Sequence, residues 1–238
     1  MRLNRFIGQF DFSKGKLTIL DEEVLNQVRN VFRMRVGDQF LLGNGEGKEA
    51  LVELVEYGKN SLEVKILEIH ENTNEPQNQV TLYCAVLKKE NFELVVQKAT
   101  EVGVCQIVPI ITERTVKLNL RMDRLEKIIK EAAEQSGRAI VPKLEKIKDL
   151  EGALKEITGK NVLFDISGQN IQGLGIGSEG SNIGVWIGPE GGWTDNELEL
   201  AKNAGFSIIS LGQLTLRAET AAIIGSFLST HSLGENKK

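Results

Sequence analysis

Hydrophobic and polar positions follow a strand-like pattern in the first part of the chain. Ala50–Val55 and Ser61–Ile66 show period-two alternation and Gln39–Leu42 is a short apolar run, so three strands are predicted. A short helix is predicted over Glu22–Val31, with Asp21 as its N-cap. Because glycine- and asparagine-rich turns separate closely spaced strands, this region is typical of a small barrel.

The pattern changes at His70–Gln79, a polar stretch with a proline and no hydrophobic period, which indicates a linker and a domain boundary. Beyond it, strands are predicted at Val80–Leu87, Cys105–Ile111, Val162–Ile166, Gly184–Ile187 and Ser207–Leu211, and helices at Phe92–Val102, Met122–Gln135, Thr194–Ala204 and Glu219–Thr230. Thr194 and Glu197 have the spacing of a capping box. The alternation predicts an α/β fold with a mainly parallel sheet of about five strands.

Composition narrows the class of protein. The 238 residues are 41% hydrophobic and 26% charged, as in ordinary globular proteins. We expect a cytoplasmic protein, because no apolar run could span a bilayer and the start from Met1 lacks the apolar core of a signal peptide.

Cys84 and Cys105 lie in apolar runs and are expected as buried thiols, without a disulfide or a metal site. His70 and His231 are near no nucleophile motif, which argues against triad chemistry.

The net charge is −4, so a nucleic-acid partner must be met by a local basic patch. Two basic clusters exist, near the start and in the middle of the chain. They are Arg2, Arg5, Arg29, Arg33 and Arg35, and Arg114, Lys117, Arg121, Arg124 and Lys127. Either cluster could equally be a solvated helix face.

Two glycine-rich loops, Ile187–Asp195 and Leu211–Ala221, each follow an apolar strand and precede a helix. At the carboxyl ends of parallel strands, two such loops would form one pocket lined mostly by backbone. In the first loop, Gly191 and Gly192 allow positive φ and close approach of a ligand to the main chain. Glycines that serve only tight turns are the alternative, and two loops of the same form make it less favoured.

The charges of these loops select the kind of ligand. Glu190 is the ionisable side chain of Gly188–Gly192, whereas a phosphate loop needs a lysine and no carboxylate. The chain has no P-loop motif, and Leu87–Phe92 occupies the turn where a dinucleotide fold would place its glycines. A positively charged or neutral cofactor is therefore favoured. Glu190 could contact a ribose, oppose a cationic centre or bond to backbone amides.

At these loops the chain resembles the ribosomal RNA small subunit methyltransferase E family (16S rRNA uracil-N3 methyltransferases), within the SPOUT class. The resemblance covers nearly the whole chain. It is carried by Ile187–Asp195, Leu211-Gly212 and Leu216–Ala221, with support from Val36–Asp38, Lys98–Gly103, Thr112–Arg114 and Glu131–Arg138. The chain departs from the family at Asn26-Gln27, where relatives often carry a histidine, and at Leu214, where many carry a second arginine.

The resemblance implies an α/β, SPOUT-type parallel sheet with a C-terminal deep trefoil knot, preceded by a small PUA-like β-barrel domain. The implied division is residues 1–72 for the RNA-binding barrel and residues 73–238 for the methyltransferase domain. The implied protein is a homodimer that binds S-adenosylmethionine in a bent conformation. Its implied reaction is methylation of N3 of a uridine in 16S ribosomal RNA of the small subunit, on a base presented unpaired.

The resemblance also implies site residues. Those for the cofactor are Leu163, Ile187, Gly188, Pro189, Glu190, Gly191, Gly192, Leu211, Gly212, Leu216 and Ala218. Arg217 is the candidate cation for charge developing on uracil, and Glu219 is a candidate base; alternatively, Glu219 favours the helix dipole and Arg217 is a surface residue. The RNA-binding candidates are Arg2, Arg5, Arg29, Arg33, Arg35, Arg114 and Arg138. A catalytically silent RNA-binding homologue and a SPOUT enzyme acting on another RNA position, including transfer RNA, stay open as alternatives.

Overall fold

The computed structural model describes residues 3–116, 119–171 and 180–231. Its contacts divide the chain into two compact units. Unit 1 contains Met1–Glu75 and Ala133–Val141, and unit 2 contains Pro76–Ala132 and Pro142–Lys238. Arg2, Lys117 and the tail 234–238, which is predicted to be disordered, lie outside the described residues.

Unit 1 is built on short strands and one helix. Its strands are β1 (Arg5–Ile7), β2 (Lys16–Ile19), β3 (Gln39–Gly43), β4 (Lys48–Tyr57) and β5 (Leu62–Glu71), and its helix α1 (Glu22–Asn26) continues as a π-helical turn over Gln27–Val31. Within the described part of the chain, a five-stranded sheet has the order β1-β3-β4-β5-β2. Strand β1 is parallel to β3 and the other neighbours are antiparallel.

The three predicted strands and the predicted helix of unit 1 are confirmed. The carboxylate of Asp21 accepts hydrogen bonds from the amides of Glu23 and Val24, as expected of an N-cap. Strands β1 and β2 were not predicted, because three or four residues are too few to show a period. The predicted linker starts too early, since His70 still pairs with Glu49 in the sheet.

The segment Ala133–Val141 joins unit 1 through buried polar contacts. The amide of Ile7 donates to Glu134 at 2.7 Å. The guanidinium of Arg138 forms an ion pair with Glu75 at 2.6 Å, and the same carboxylate accepts the amides of Ala139 and Ile140 at 2.9 and 3.1 Å. Glu75 therefore fixes the path of a segment that lies more than fifty residues further along the chain.

Unit 2 alternates strands and helices along the sequence. Its elements are β6 (Gln79–Ala85), α2 (Lys89–Glu101), β7 (Gln106–Ile111), α3 (Met122–Ser136), β8 (Lys143–Leu144), β9 (Lys148–Asp149), α4 (Leu150–Leu154), β10 (Lys160–Asn170), β11 (Asn182–Ile187), α5 (Asp195–Asn203), β12 (Ser207–Ser210) and α6 (Ala218–Thr230). Helix α3 ends in the second segment of unit 1.

The strands of unit 2 form a parallel sheet, as predicted. Among the described residues its order is β12-β10-β11-β6-β7-β8, with β9 beside β7. The two-residue strands β8 and β9 were missed because they are too short for any period. Strand β10 lies between β11 and β12, so the carboxyl ends of these three strands meet at one edge. No helix of the described ranges is long and apolar enough to cross a membrane.

The core of unit 2 contains a cluster of aromatic side chains on and beside the central strands. The ring of Trp186 stacks on Tyr83 at 3.9 Å and approaches Phe206 at 5.0 Å. Its indole nitrogen donates to Asn161 at 2.9 Å, so the buried N–H is satisfied. Helix α5 begins with the predicted capping box, in which Thr194 and Glu197 bond to each other's backbone.

Candidate active site

The carboxyl ends of β11 and β12 open, beside the middle of β10, into one cavity of about 610 Å³. Its walls are Phe164–Ile166 within β10, where the register with β12 shifts, the first glycine loop after β11 and the second glycine loop after β12. Gly188 and Gly212, which the sequence placed in one pocket, both line it. The cavity has the size of a small-molecule site and lies where open α/β sheets bind their ligands.

Two glycines, Gly188 and Gly192, determine the conformation of the first loop in different ways. Gly192 has φ 71°, and its amide donates to the carbonyl of Pro189 at 2.9 Å to close a turn. At Gly188 a Cβ atom would lie 2.9 Å from the indole nitrogen of Trp193. That indole donates to the carbonyl of Phe164 at 3.2 Å, so Gly188 leaves room for Trp193 to attach the loop to the middle of β10.

The prediction that Gly191 needs a positive φ is wrong. Gly191 is not among the glycines with positive φ, and a Cβ atom at this position would lie 3.2 Å from the Cβ atom of Arg114. Gly191 also lies outside the set of described residues that line the cavity. Its missing side chain makes room for Arg114.

The second loop is open toward the cavity at Gly212, which has φ 137° and no atom within 4 Å of its ideal Cβ position. The hydroxyl of Ser210 donates to the carbonyl of Gly212 at 2.8 Å and accepts its amide at 3.3 Å. Leu214 also lines the cavity and is 81% exposed. This loop therefore offers main chain and an apolar side chain to a ligand.

Most residues predicted to hold a cofactor lie together on the cavity wall. They are Ile187, Gly188, Pro189, Glu190, Gly192, Leu211, Gly212, Leu216 and Ala218. Leu163 is 1% exposed and packs in the core, and its neighbour Phe164 lines the cavity. Asp165 and Ile166, at the end of a predicted strand, also line the cavity and were not predicted. Lys88 and Asn91 were not predicted either, because their turn contains no glycine.

Glu190 uses its carboxylate to bond to backbone, which is one of the three roles considered for it. It accepts the amide of Lys88 at 3.3 Å, which links the first glycine loop to the start of α2. Burial raises the pKa of the nearby Cys84 thiol, and the charge of Glu190 raises it further. Cys84 is therefore a neutral thiol beneath the loop and no nucleophile.

Arg217 and Glu219 face the cavity from the start of α6. The side chain of Arg217 is 85% exposed and that of Glu219 is 10% exposed, and their charged atoms are 3.8 Å apart. The Oε2 atom of Glu219 is buried and has no hydrogen-bond partner among the described residues. Such an oxygen costs free energy unless a ligand supplies its partner.

The balance of charges on the cavity wall favours a cationic ligand. Within the described ranges the acidic lining residues are Asp165, Glu190 and Glu219, and the basic ones are Lys88 and Arg217. These walls therefore suit a cationic ligand held by backbone and carboxylates.

Five of the seven arginines predicted to bind RNA are described in unit 1, and they fall into two groups. Arg29, Arg33 and Arg35 are exposed; Arg29 lies 5.1 Å above the ring of Tyr57, and Arg33 has φ 51°. By contrast, the side chains of Arg5 and Arg138 are 12% and 5% exposed, because they pair with Glu49 and Glu75. Arg5 and Arg138 are therefore engaged in ion pairs within unit 1 and offer little charge to an RNA.

Replacing Gly188 by alanine is expected to weaken cofactor binding about tenfold, the loss typical of one buried hydrogen bond. The new methyl group would push the Trp193 indole away from the carbonyl of Phe164. Calorimetry measures the affinity, and tryptophan fluorescence reports the displaced indole. Gly15→Ala is the matched control, because a Cβ atom there meets nothing within 4 Å. An unchanged affinity with an unchanged spectrum would contradict the role given to Gly188.

The fold and this cavity define an RNA methyltransferase. Residues 73–228 match the family model of the RNA methyltransferase domain, and residues 20–67 match that of the RNA methyltransferase PUA domain. The chain belongs to the ribosomal RNA small subunit methyltransferase E family.

Relatives of this family match the chain over most of its length. The member from Rickettsia conorii is 32% identical over 94% of this chain and 93% of its own. The member from Mesomycoplasma hyopneumoniae is 35% identical over 86% and 90%. A crystal structure of the Neisseria gonorrhoeae member bound to S-adenosyl methionine superposes with a TM-score of 0.86, at 30% identity over 94% of this chain and 95% of its own.

Proposed function

We propose that this protein uses S-adenosylmethionine to methylate N3 of a uridine in 16S ribosomal RNA of the small ribosomal subunit. The observation that carries the proposal is the cavity that both glycine loops share, which Arg217 and Glu219 line side by side. The names of the relatives and the cofactor of the Neisseria gonorrhoeae structure support the substrate and the methyl donor.

The residues present fit this cofactor. When bound, S-adenosylmethionine supplies an electrophilic methyl group on a positively charged sulfonium. Glu190, Asp165 and Glu219 place negative charge around the cavity, and Gly212 leaves its backbone open to a ligand. The main chain of both loops would recognise the neutral adenosine part, because backbone amides and carbonyls need no charge to bind it.

Two side chains are proposed to act on uracil. N3 of uracil carries a proton and is a poor nucleophile until that proton leaves. Glu219, which lines the cavity beside Arg217, would accept the proton. Arg217 would stabilise the negative charge that develops on the two carbonyl oxygens beside N3. Their separation of 3.8 Å lets both reach one base edge.

RNA binding is assigned to unit 1, which we propose to be a PUA-like β-barrel domain. The exposed Arg29, Arg33 and Arg35 supply positive charge for phosphates. Val31 and Phe32 lie in the same stretch and are 61% and 47% exposed. Family membership supports a division into residues 1–72 and 73–238, and a deep trefoil knot in the second part.

We infer that the protein acts as a homodimer in the cytoplasm, where small subunits are assembled. Helices α2 and α6 pack against each other, and they expose Leu94, Ile224 and Phe227 to 38%, 37% and 48%. Large apolar side chains exposed on a packed helix pair are typical of a protein interface. A second copy of this chain would cover that face.

Methyl transfer can be tested by incubating the protein with labelled S-adenosylmethionine and either unmethylated small subunits or transfer RNA. The expected product is 3-methyluridine at one position of 16S ribosomal RNA. Label in transfer RNA or at another base would favour an enzyme of different specificity. Neither transferred label nor heat of cofactor binding in calorimetry would favour a catalytically silent homologue.

A further inference from the structure

The turn that follows β7, residues 112–115, is rigid and lies against the first glycine loop. The hydroxyls of Thr112 and Thr115 are 2.7 Å apart, and the hydroxyl of Thr115 accepts the amide of Thr112 at 3.0 Å. The amide of Thr115 donates to the carbonyl of Thr112 at 3.2 Å. These bonds fix the backbone of the two residues between them.

Arg114 reaches from this turn to the glycine loop. Its Nη1 atom donates to the carbonyl of Gly191 at 2.9 Å and to that of Trp193 at 3.3 Å. The amides of the same two peptide groups bond to the Pro189 carbonyl at 2.9 Å and to the Glu197 carboxylate at 2.8 Å. Arg114 therefore holds the opposite, carbonyl side of two peptide groups beside the cavity.

A buried carboxylate makes a second link between the same segments. Glu197 is 5% exposed and accepts the amide of Glu113 at 2.9 Å and that of Thr194 at 2.8 Å. It joins the turn to the start of α5, where the glycine loop ends. The loop from Gly191 to Thr194 is thus attached to the turn at both of its ends.

We propose that Arg114 is a positioning residue for the methyl donor and no RNA contact. Gly188, Pro189, Gly192 and Trp193 line the cavity, whereas Arg114 lies outside the described residues that line it. Arg114 acts through the carbonyls of Gly191 and Trp193, which it holds away from the positions where the loop meets the ligand. This inference rests on the proposed function, because it assigns the cavity to S-adenosylmethionine.

The test replaces Arg114 by methionine, which keeps the stem that packs on Gly191 and removes both hydrogen bonds. The affinity for S-adenosylmethionine by calorimetry should fall about tenfold or more. Affinity for 16S RNA should stay within about twofold of that of the unmodified protein. For cofactor affinity, Arg121→Met is the matched control, since Arg121 is 68% exposed and pairs with Asp123 two residues away. Arg114→Lys should restore part of the cofactor affinity.

A second variant approaches the same contact from the loop. Gly191→Ala places a methyl group 3.2 Å from the Cβ of Arg114, at a position without positive φ, and should also weaken cofactor binding. Gly15→Ala is its control. Full cofactor affinity in both variants, or loss of RNA affinity alone, would overturn the inference. If the unmodified protein gives no heat with S-adenosylmethionine, the proposed function fails and this inference fails with it.

Discussion

Replacement of Arg217 by methionine is expected to lower kcat about 100-fold, as removal of one preorganised donor to a developing anion typically does. The affinity for S-adenosylmethionine should change by less than about threefold, because the lost interaction forms only as charge develops on uracil. The loss of kcat should be large because few other positive charges could replace that of Arg217. Lys88 is the other basic residue among the described lining residues, and Leu214 stands at the position where the family resemblance implies a second arginine.

The dependence on pH separates a role in charge stabilisation from a role in folding. Arg217 favours the deprotonated base, so in its absence uracil should need a higher pH to react. The ratio of the kcat of the unmodified enzyme to that of Arg217→Met should therefore shrink as the pH rises. Arg217→Lys, which keeps the charge, should retain more activity than Arg217→Met. A constant ratio at all pH values, with equal thermal stability, would contradict the assigned role.

The sequence was sufficient to predict where the cavity lies, but not which contact requires each glycine. Buried apolar runs followed by glycines predicted that Gly188 and Gly212 meet at one edge of a parallel sheet, and they do. Sequence pattern could not show that Gly188 accommodates Trp193, or that Gly191 accommodates Arg114. Those contacts join residues distant in sequence, and periodicity carries no information about them.

Arginine roles were the least predictable part of the site. A basic cluster looks the same along the chain whether its members are exposed or paired. Arg29 and Arg35 are exposed as expected, whereas Arg138 is buried against Glu75. What decides the difference is a carboxylate from a remote segment, which only the folded chain brings into reach.

The boundary between the two parts of the chain was also only partly visible in the sequence. A composition shift at His70–Gln79 marks the end of the first region, and unit 1 ends its first segment at Glu75. The return of Ala133–Val141 to unit 1 has no counterpart in hydrophobic pattern, because charged and polar residues hold it. A change in composition along the chain can mark where the first segment of a domain ends. It cannot show that a later segment returns to the same domain.

The ion pair that holds this returning segment leads to the largest stability effect we expect. Arg138→Met should destabilise unit 1 by about 3 kcal/mol, because the carboxylate of Glu75 loses its partner while it is largely buried. The side chains of Arg138 and Glu75 are 5% and 16% exposed. The backbone amides of Ala139 and Ile140 remain as donors to Glu75, so the unit should still fold.

Hydrogen exchange of the amides in β4 measures this effect, because Trp186 and Trp193 belong to unit 2 and their fluorescence does not report on unit 1. Arg35→Met is the matched control, since it removes the same charge from an exposed position of unit 1 and should cost at most about 0.5 kcal/mol. Adding Glu75→Gln to Arg138→Met should recover part of the loss, because the unpaired charge is then gone. Equal protection of β4 in Arg138→Met and Arg35→Met would show that the pair contributes nothing to the attachment of Ala133–Val141.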